Sequence, residues 1–244
     1  MPNAMPSVTD LDPLDRFPDL QSVPRHRFFA QHDLVDLLRK AVPFDYIAIG
    51  GLDLDRYRLG SGFSIDTNLP PEYLEAYYLD KLQKTDPFVR VAKQALSVVR
   101  EHEVLASEPA SQRLLYLKRR FGIFNRTLFP ISRGNVPFGG ICVMREQRFT
   151  DAEIAFLTMT AEPLHRFFTA PLMDKFGAQE LNLTAGEIAC LKAASTGQTS
   201  EKIADLLGYQ VETVNSYIKA GIKKLGAANR VEAIAEAIHR RIIP

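Results

Sequence analysis

The chain has 244 residues, 46% of them hydrophobic and 24% charged, which suits one large or two modest domains with a real core. No apolar run approaches the roughly 18 residues of a membrane span, and the first thirty residues lack the basic-then-apolar order of a secretory leader. Cys142 and Cys190 stand far apart with no His or Cys at ligand spacing, so neither a disulfide framework, a metal site nor a cofactor is expected, and a reducing cytoplasm fits.

Residues 1–25 contain several Pro and Asp without a sustained period and read as a flexible arm. The first amphipathic segment covers roughly 28–41, with Phe29, Leu34, Leu37 and Leu38 on one face. Phe44-Asp45-Tyr46-Ile47-Ala48-Ile49 then reads as a buried strand, with 58–63 as its partner. Pro70-Pro71 opens a helix carrying Tyr73, Leu74, Tyr77, Tyr78 and Leu82, because Pro is tolerated in a first turn. A short helix follows Asp86-Pro87 and a longer one lies near 111–121. Strands at 126–131 and 138–144 flank the turn-rich Ser132-Arg133-Gly134-Asn135. Thr150-Asp151-Ala152-Glu153 has the form of a capping box and starts an apolar helix running towards Phe168. This order predicts an α+β protein whose residues 26–170 form an α/β/α sandwich around an antiparallel sheet. Residues 171–180 are the candidate linker, and 181–244 are helical throughout.

Punctuation divides that tail into four helices. Thr184-Ala185-Gly186-Glu187 is a second capping box, and Gly197 ends its helix. Thr199 or Ser200 caps a short helix closed by Gly208, a longer one spans 211–225, and Asn229 caps the last. A short helix, a Gly-containing turn and a longer helix make the helix-turn-helix arrangement, whose second member enters the major groove. On that helix Thr213, Asn215, Ser216, Lys219 and Lys223 lie off the apolar face, and Thr199 stands at the start of its partner. Short hydroxyls suit phosphate oxygens, while Asn and Lys reach base edges. The tail carries eight basic and six acidic side chains, so its bulk charge does not separate a DNA-binding module from a solvated helical bundle.

The residues themselves separate the two. Leu183-Thr184-Ala185-Gly186-Glu187, Leu191, Gly197-Gln198-Thr199-Ser200-Glu201-Lys202-Ile203-Ala204, Thr213-Val214, Lys224-Leu225-Gly226 and Asn229-Arg230 together resemble the LuxR-type helix-turn-helix signature. The resemblance implies that Glu187 and Leu191 keep the fold. It also implies that Thr213, Asn215, Ser216 and Lys219 face DNA and that the last helix helps dimerise. Tyr217 stands where a His is frequent, and Gly221 weakens its helix by about 1 kcal/mol relative to Ala.

In the N-terminal half, Tyr73-x3-Tyr77-x8-Asp86-Pro87, with Phe121-Gly122-Ile123 and Phe138-Gly139-Gly140, resembles the acyl-homoserine-lactone sensor domain of quorum-sensing LuxR regulators. In that family a Trp and a Tyr meet the lactone and acyl carbonyls, and an Asp accepts from the ligand amide. Those roles fall on Tyr73, Tyr77 and Asp86. The chain departs from the family in having no Trp, including the pocket Trp usual near 99–101. It also has Arg126 where a small Gly is common and Cys142 where a small hydroxyl residue often stands. A Tyr hydroxyl can replace an indole donor, whereas a buried Arg must be paired. Arg126 therefore either pairs with Asp86 or a neighbouring acid, or binds an anionic ligand, or lies on the outer face of its strand. Tyr73 and Tyr77 also read as an aromatic core stripe, and Asp86 as a plain helix start.

These readings give a cytoplasmic, homodimeric transcription regulator, not an enzyme, that binds double-stranded promoter DNA away from any membrane. Its small-molecule signal, where it has one, is not a standard acyl-homoserine lactone. The alternatives are an ordinary lactone-responsive quorum-sensing regulator, an enzyme acting on an acyl or lactone compound, and a partner of another regulator whose tail serves only to dimerise.

Overall fold

A computed structural model describes residues 13–54 and 65–244. The expected strand at 58–63 and the first half of the expected arm lie outside those residues. Contacts divide the chain into two compact units, one of residues 24–169 and the other of 1–23 with 170–244.

The first unit is built on a six-stranded sheet: β1 (His26–Phe28), β2 (Tyr46–Gly50), β3 (Ile65–Thr67), β4 (Val99–Arg100), β5 (Thr127–Arg133) and β6 (Val136–Met144). The order across it is β1-β3-β2-β6-β5-β4. Every neighbouring pair is antiparallel except β1 with β3, which is parallel. Strand alternation sorts the side chains onto two faces. Ile47, Ile49, Phe129, Ile131, Ile141 and Val143 pack with α1 (Asp33–Ala41) and α6 (Asp151–Glu180). Tyr46, Ala48, Cys142 and Met144 face α2 (Pro71–Leu79) and α5 (Gln112–Phe121). On that second side lie also α3 (Pro87–Ala92) and α4 (Glu101–Ser107), the latter absent from the sequence reading.

Two local expectations change. Residues 26–28 are an edge strand rather than a helix start, and α1 buries Val35 and Leu38 while Leu34 and Leu37 are exposed. The capping box at Thr150 forms as read, with Thr150 N–H donating to Glu153 Oε2 at 2.7 Å and Glu153 N–H to Thr150 Oγ1 at 3.3 Å. The helix it starts runs to Glu180, so 171–180 is helical. Within the first unit this helix seats on the sheet through His165. Its Nε2 lies 3.1 and 3.0 Å from the Gly50 and Gly51 carbonyls, and a Cβ on Gly139 would come within 2.3 Å of it. Only glycine leaves room there.

In the second unit Leu14, Leu20 and Val23 are buried, around short 3-10 turns at Pro13–Arg16 and Leu20–Ser22. The tail forms α7 (Ala185–Ser195), α8 (Ser200–Leu207), α9 (Val211–Leu225) and α10 (Arg230–His239). Thr184, Thr199 and Asn229 cap α7, α8 and α10 as their sequence positions predict. Gly208 and Gly226 end α8 and α9 in the left-handed conformation. Glu187 closes its capping box and also takes Lys224 Nζ at 2.8 Å on both oxygens. Gly221 has a packing reason: a Cβ there would sit 3.1 Å from Leu191 Cδ1, so the glycine lets α9 approach α7.

Candidate functional site

Pro87 fixes the first turn of α3, so the preceding Asp86 becomes its N-cap and accepts from Phe88 N–H at 3.0 Å. Asp86 is only 1% exposed. On α2, Tyr73 and Tyr77 are one turn apart, both buried, and the Tyr77 hydroxyl donates to Asp86 Oδ2 at 2.8 Å. The structure therefore brings Tyr73, Tyr77, Asp86, Arg126 and Cys142 together on one side of the sheet, and Asp86 serves as a helix cap at the same time.

Arg126, just before β5, points inward and is buried. Its Nη1 and Nη2 donate to the two Asp86 oxygens at 2.6 and 2.9 Å, a bidentate pair. Its Nε donates to Glu101 Oε1 at 2.7 Å, and the guanidinium lies 4.5 Å over the Phe88 ring. Glu101 opens α4 and is joined to Arg126 twice more through backbone. Its N–H donates to the Arg126 carbonyl at 2.9 Å, and its Oε2 accepts from Arg126 N–H at 3.1 Å. Lys118 of α5, also buried, donates to Glu101. Two acids and two bases thus neutralise one another.

Burial is the largest effect on the Asp86 and Glu101 carboxyls and pushes both up, and Arg126 opposes it through its charge and its hydrogen bonds. With Tyr77 on Asp86 and Lys118 on Glu101, both end below their ordinary values. Burial, and then Arg126, pull Lys118 below the usual lysine range despite Glu101. Burial first, and then the Glu101 and Asp86 charges, push the Cys142 thiol up to about 12 against the pull of Arg126, an unreactive state. Counting bonds shows what remains. Each Asp86 oxygen already takes two donors, so the carboxylate has no free acceptor site for a ligand amide. Sequence reading missed Glu101 and Lys118. The lack of a Trp near 99–101 was the signal for Glu101, while Lys118 sits in a Lys-Arg-Arg run that looks solvated.

Beside this network a cavity of about 150 Å³ lies between α2, α3 and the sheet. Leu74, Tyr78, Phe88 and Ala92 line it from the helices, and Ala48, Leu128, Gly140 and Cys142 from the strands. Tyr73 reaches it with no hydrogen-bond partner for its hydroxyl among the described residues. Gln83 also lines it, and its buried Oε1 has no partner.

In the tail, Val214, Ile218 and Leu225 of α9 are buried, leaving Asn215, Ser216, Lys219 and Lys223 exposed along the opposite stripe. Thr213 is half-buried beside that stripe, and Thr199 is exposed at the start of α8. The Ser200 hydroxyl donates to Asn215 Oδ1 at 2.7 Å, tying the two helices together at the exposed face.

Residues 29–168 match the autoinducer binding domain, and residues 181–237 match the luxR family of bacterial regulatory proteins. The chain belongs to the LuxR-type regulators with an autoinducer-binding domain. These LuxR-type proteins are transcription regulators that bind DNA through the helix-turn-helix tail, not enzymes. The transcriptional activator AhyR of Aeromonas hydrophila is 27% identical over 186 residues, 71% of each chain. The activator PhzR of Pseudomonas fluorescens is 31% identical over 86 residues, 32% of this chain and 35% of its own. Among solved structures, SdiA of Escherichia coli covers 86% of this chain and 89% of its own at 18% identity, with a TM-score of 0.48. Among the described residues no helix is long and apolar enough to cross a membrane.

Proposed function

We propose that this LuxR-type regulator is a cytoplasmic homodimer that docks its two α9 helices in successive major grooves of promoter DNA and folds without a standard acyl-homoserine lactone. Thr199, Thr213 and Ser216 are its candidate phosphate contacts, and Asn215, Lys219 and Lys223 its candidate contacts to bases and backbone. Tyr73, Tyr77, Asp86, Arg126 and Cys142 form the ligand-facing side of the sensor. The observation that carries the reading is the saturation of Asp86 by Arg126, Tyr77 and the Phe88 N–H. A lactone ligand would need that carboxylate and the volume Arg126 fills.

The second reading is an ordinary lactone response, favoured by the Tyr73 hydroxyl, which has no partner among the described residues, and by the autoinducer-binding match over 29–168. Expression without added lactone separates the two. The expected result is a soluble dimer that binds promoter DNA and carries no co-purifying lactone by mass spectrometry. Protein that is insoluble without a lactone and rescued by one would overturn the proposal.

A further inference from the structure

Asp86, Arg126, Glu101 and Lys118 satisfy one another, yet the space beside them stays open. A cavity of about 150 Å³ is the size that accepts one benzene-sized ring, and it falls short of the roughly 300–1,000 Å³ of most ligand pockets. Its helical wall is aromatic, from Tyr73, Tyr77, Tyr78 and Phe88, and its strand wall is small at Ala48 and Gly140. The neighbouring charges cancel, so nothing there compensates an ion. Both Tyr73 and Gln83 line the space, and among the described residues neither the Tyr73 hydroxyl nor the buried Gln83 Oε1 has a hydrogen-bond partner.

We infer that this cavity binds an uncharged monocyclic molecule little larger than benzene, carrying a hydroxyl or ring N–H that donates to Gln83. A small phenol is the simplest member of the class. The inference rests on the reading that Arg126 stays paired with Asp86. The aromatic wall supplies the apolar contact, Gln83 takes the donor, and Tyr73 completes the hydrogen bonding of the same group.

The test uses the full chain purified without lactone, titrated by calorimetry and followed by thermal shift. The probes are 4-ethylphenol, ethylbenzene, benzoate and N-butanoyl-homoserine lactone. 4-Ethylphenol is expected to saturate at one per chain and raise Tm. Ethylbenzene should bind about five- to tenfold more weakly for want of the hydroxyl, and benzoate and the lactone should not bind. Gln83→Leu and Tyr73→Phe remove groups that have no hydrogen-bond partner among the described residues, so both variants are expected to fold. Combined, they should erase the preference for 4-ethylphenol over ethylbenzene. Absence of saturable 4-ethylphenol binding to soluble, DNA-competent protein overturns the inference and leaves the lactone-independent reading standing. So does an unchanged preference in the double variant. Protein that is soluble only with the lactone overturns that reading, and this inference with it.

Discussion

Replacing Arg126 by Met keeps most of the volume and removes the charge that holds two buried carboxylates. Asp86 then loses both bidentate bonds, Glu101 keeps Lys118 and the residue-126 backbone N–H, and the four-charge network becomes three charges with a net of one negative. Breaking a buried ion pair from one side costs about 3–5 kcal/mol, a large share of the 5–15 kcal/mol that usually holds a protein folded. The pH dependence fixes the sign. In the native protein both carboxyls titrate below their ordinary values. Their stabilisation is therefore complete above the unfolded-state values near pH 4 and is lost as pH falls through the lower folded-state values. In Arg126→Met burial acts on Asp86 without its cation, its value moves up, and stability is lost as pH rises past about 4. Urea denaturation followed by circular dichroism at pH 5 and pH 7 should show a gap of about 3–5 kcal/mol at neutrality that narrows in acid. Adding Asp86→Asn leaves the neutral Glu101–Lys118 pair and should recover about half of the loss. A single variant within about 1 kcal/mol of the parent at pH 7, or a gap independent of pH, would show that the network does not hold this site.

Three further outcomes follow from the structure. Tyr77→Phe removes one hydrogen bond to a buried carboxylate and should cost about 1.5–3 kcal/mol in urea denaturation; a loss under a few tenths would mean that the Tyr77 hydroxyl matters little. Gly139→Ala drives a methyl into His165 and should destabilise by about 1–3 kcal/mol or more, whereas a neutral result would show that α6 can shift there freely. Lys219→Ala should cost about 1–3 kcal/mol on the specific site and relax the preference at one base position, and an equal loss on all DNA sequences would remove Lys219 from the base contacts.

Most of the tail was legible from sequence because its helix ends are set by local chemistry. Thr184, Thr199 and Asn229 cap, and Gly208 and Gly226 terminate, wherever the surrounding residues are placed. The long strands were legible because Ile47, Ile49, Ile141 and Val143 alternate with smaller or polar neighbours. The edge strand at 26–28 was not, since three residues carry no period, and reading it as helix shifted the inward face of α1 from Val35 to Leu34 and Leu37. In the site, the family resemblance brought Tyr77, Asp86 and Arg126 into one place, and pairing with Asp86 was one of the arrangements open to Arg126. Glu101 and Lys118 escaped because the meaning of a charged residue depends on a partner from a distant segment, and no local period marks it.

The bond between Ser200 and Asn215 limits what the exposed face of α9 can spell. An asparagine with both its oxygen and its NH2 free matches the two-bond edge of adenine. Here one of that oxygen's two lone pairs is taken by the serine hydroxyl, which orients the amide and biases what it offers towards its NH2 donors. Those donors fit the acceptor edges of guanine and of thymine O4, and they meet cytosine's amino group with a clash of like dipoles. On the proposed docking, the letter read at that base step is set from the neighbouring helix, and a change at position 200 alters the DNA alphabet of the protein without touching its recognition helix.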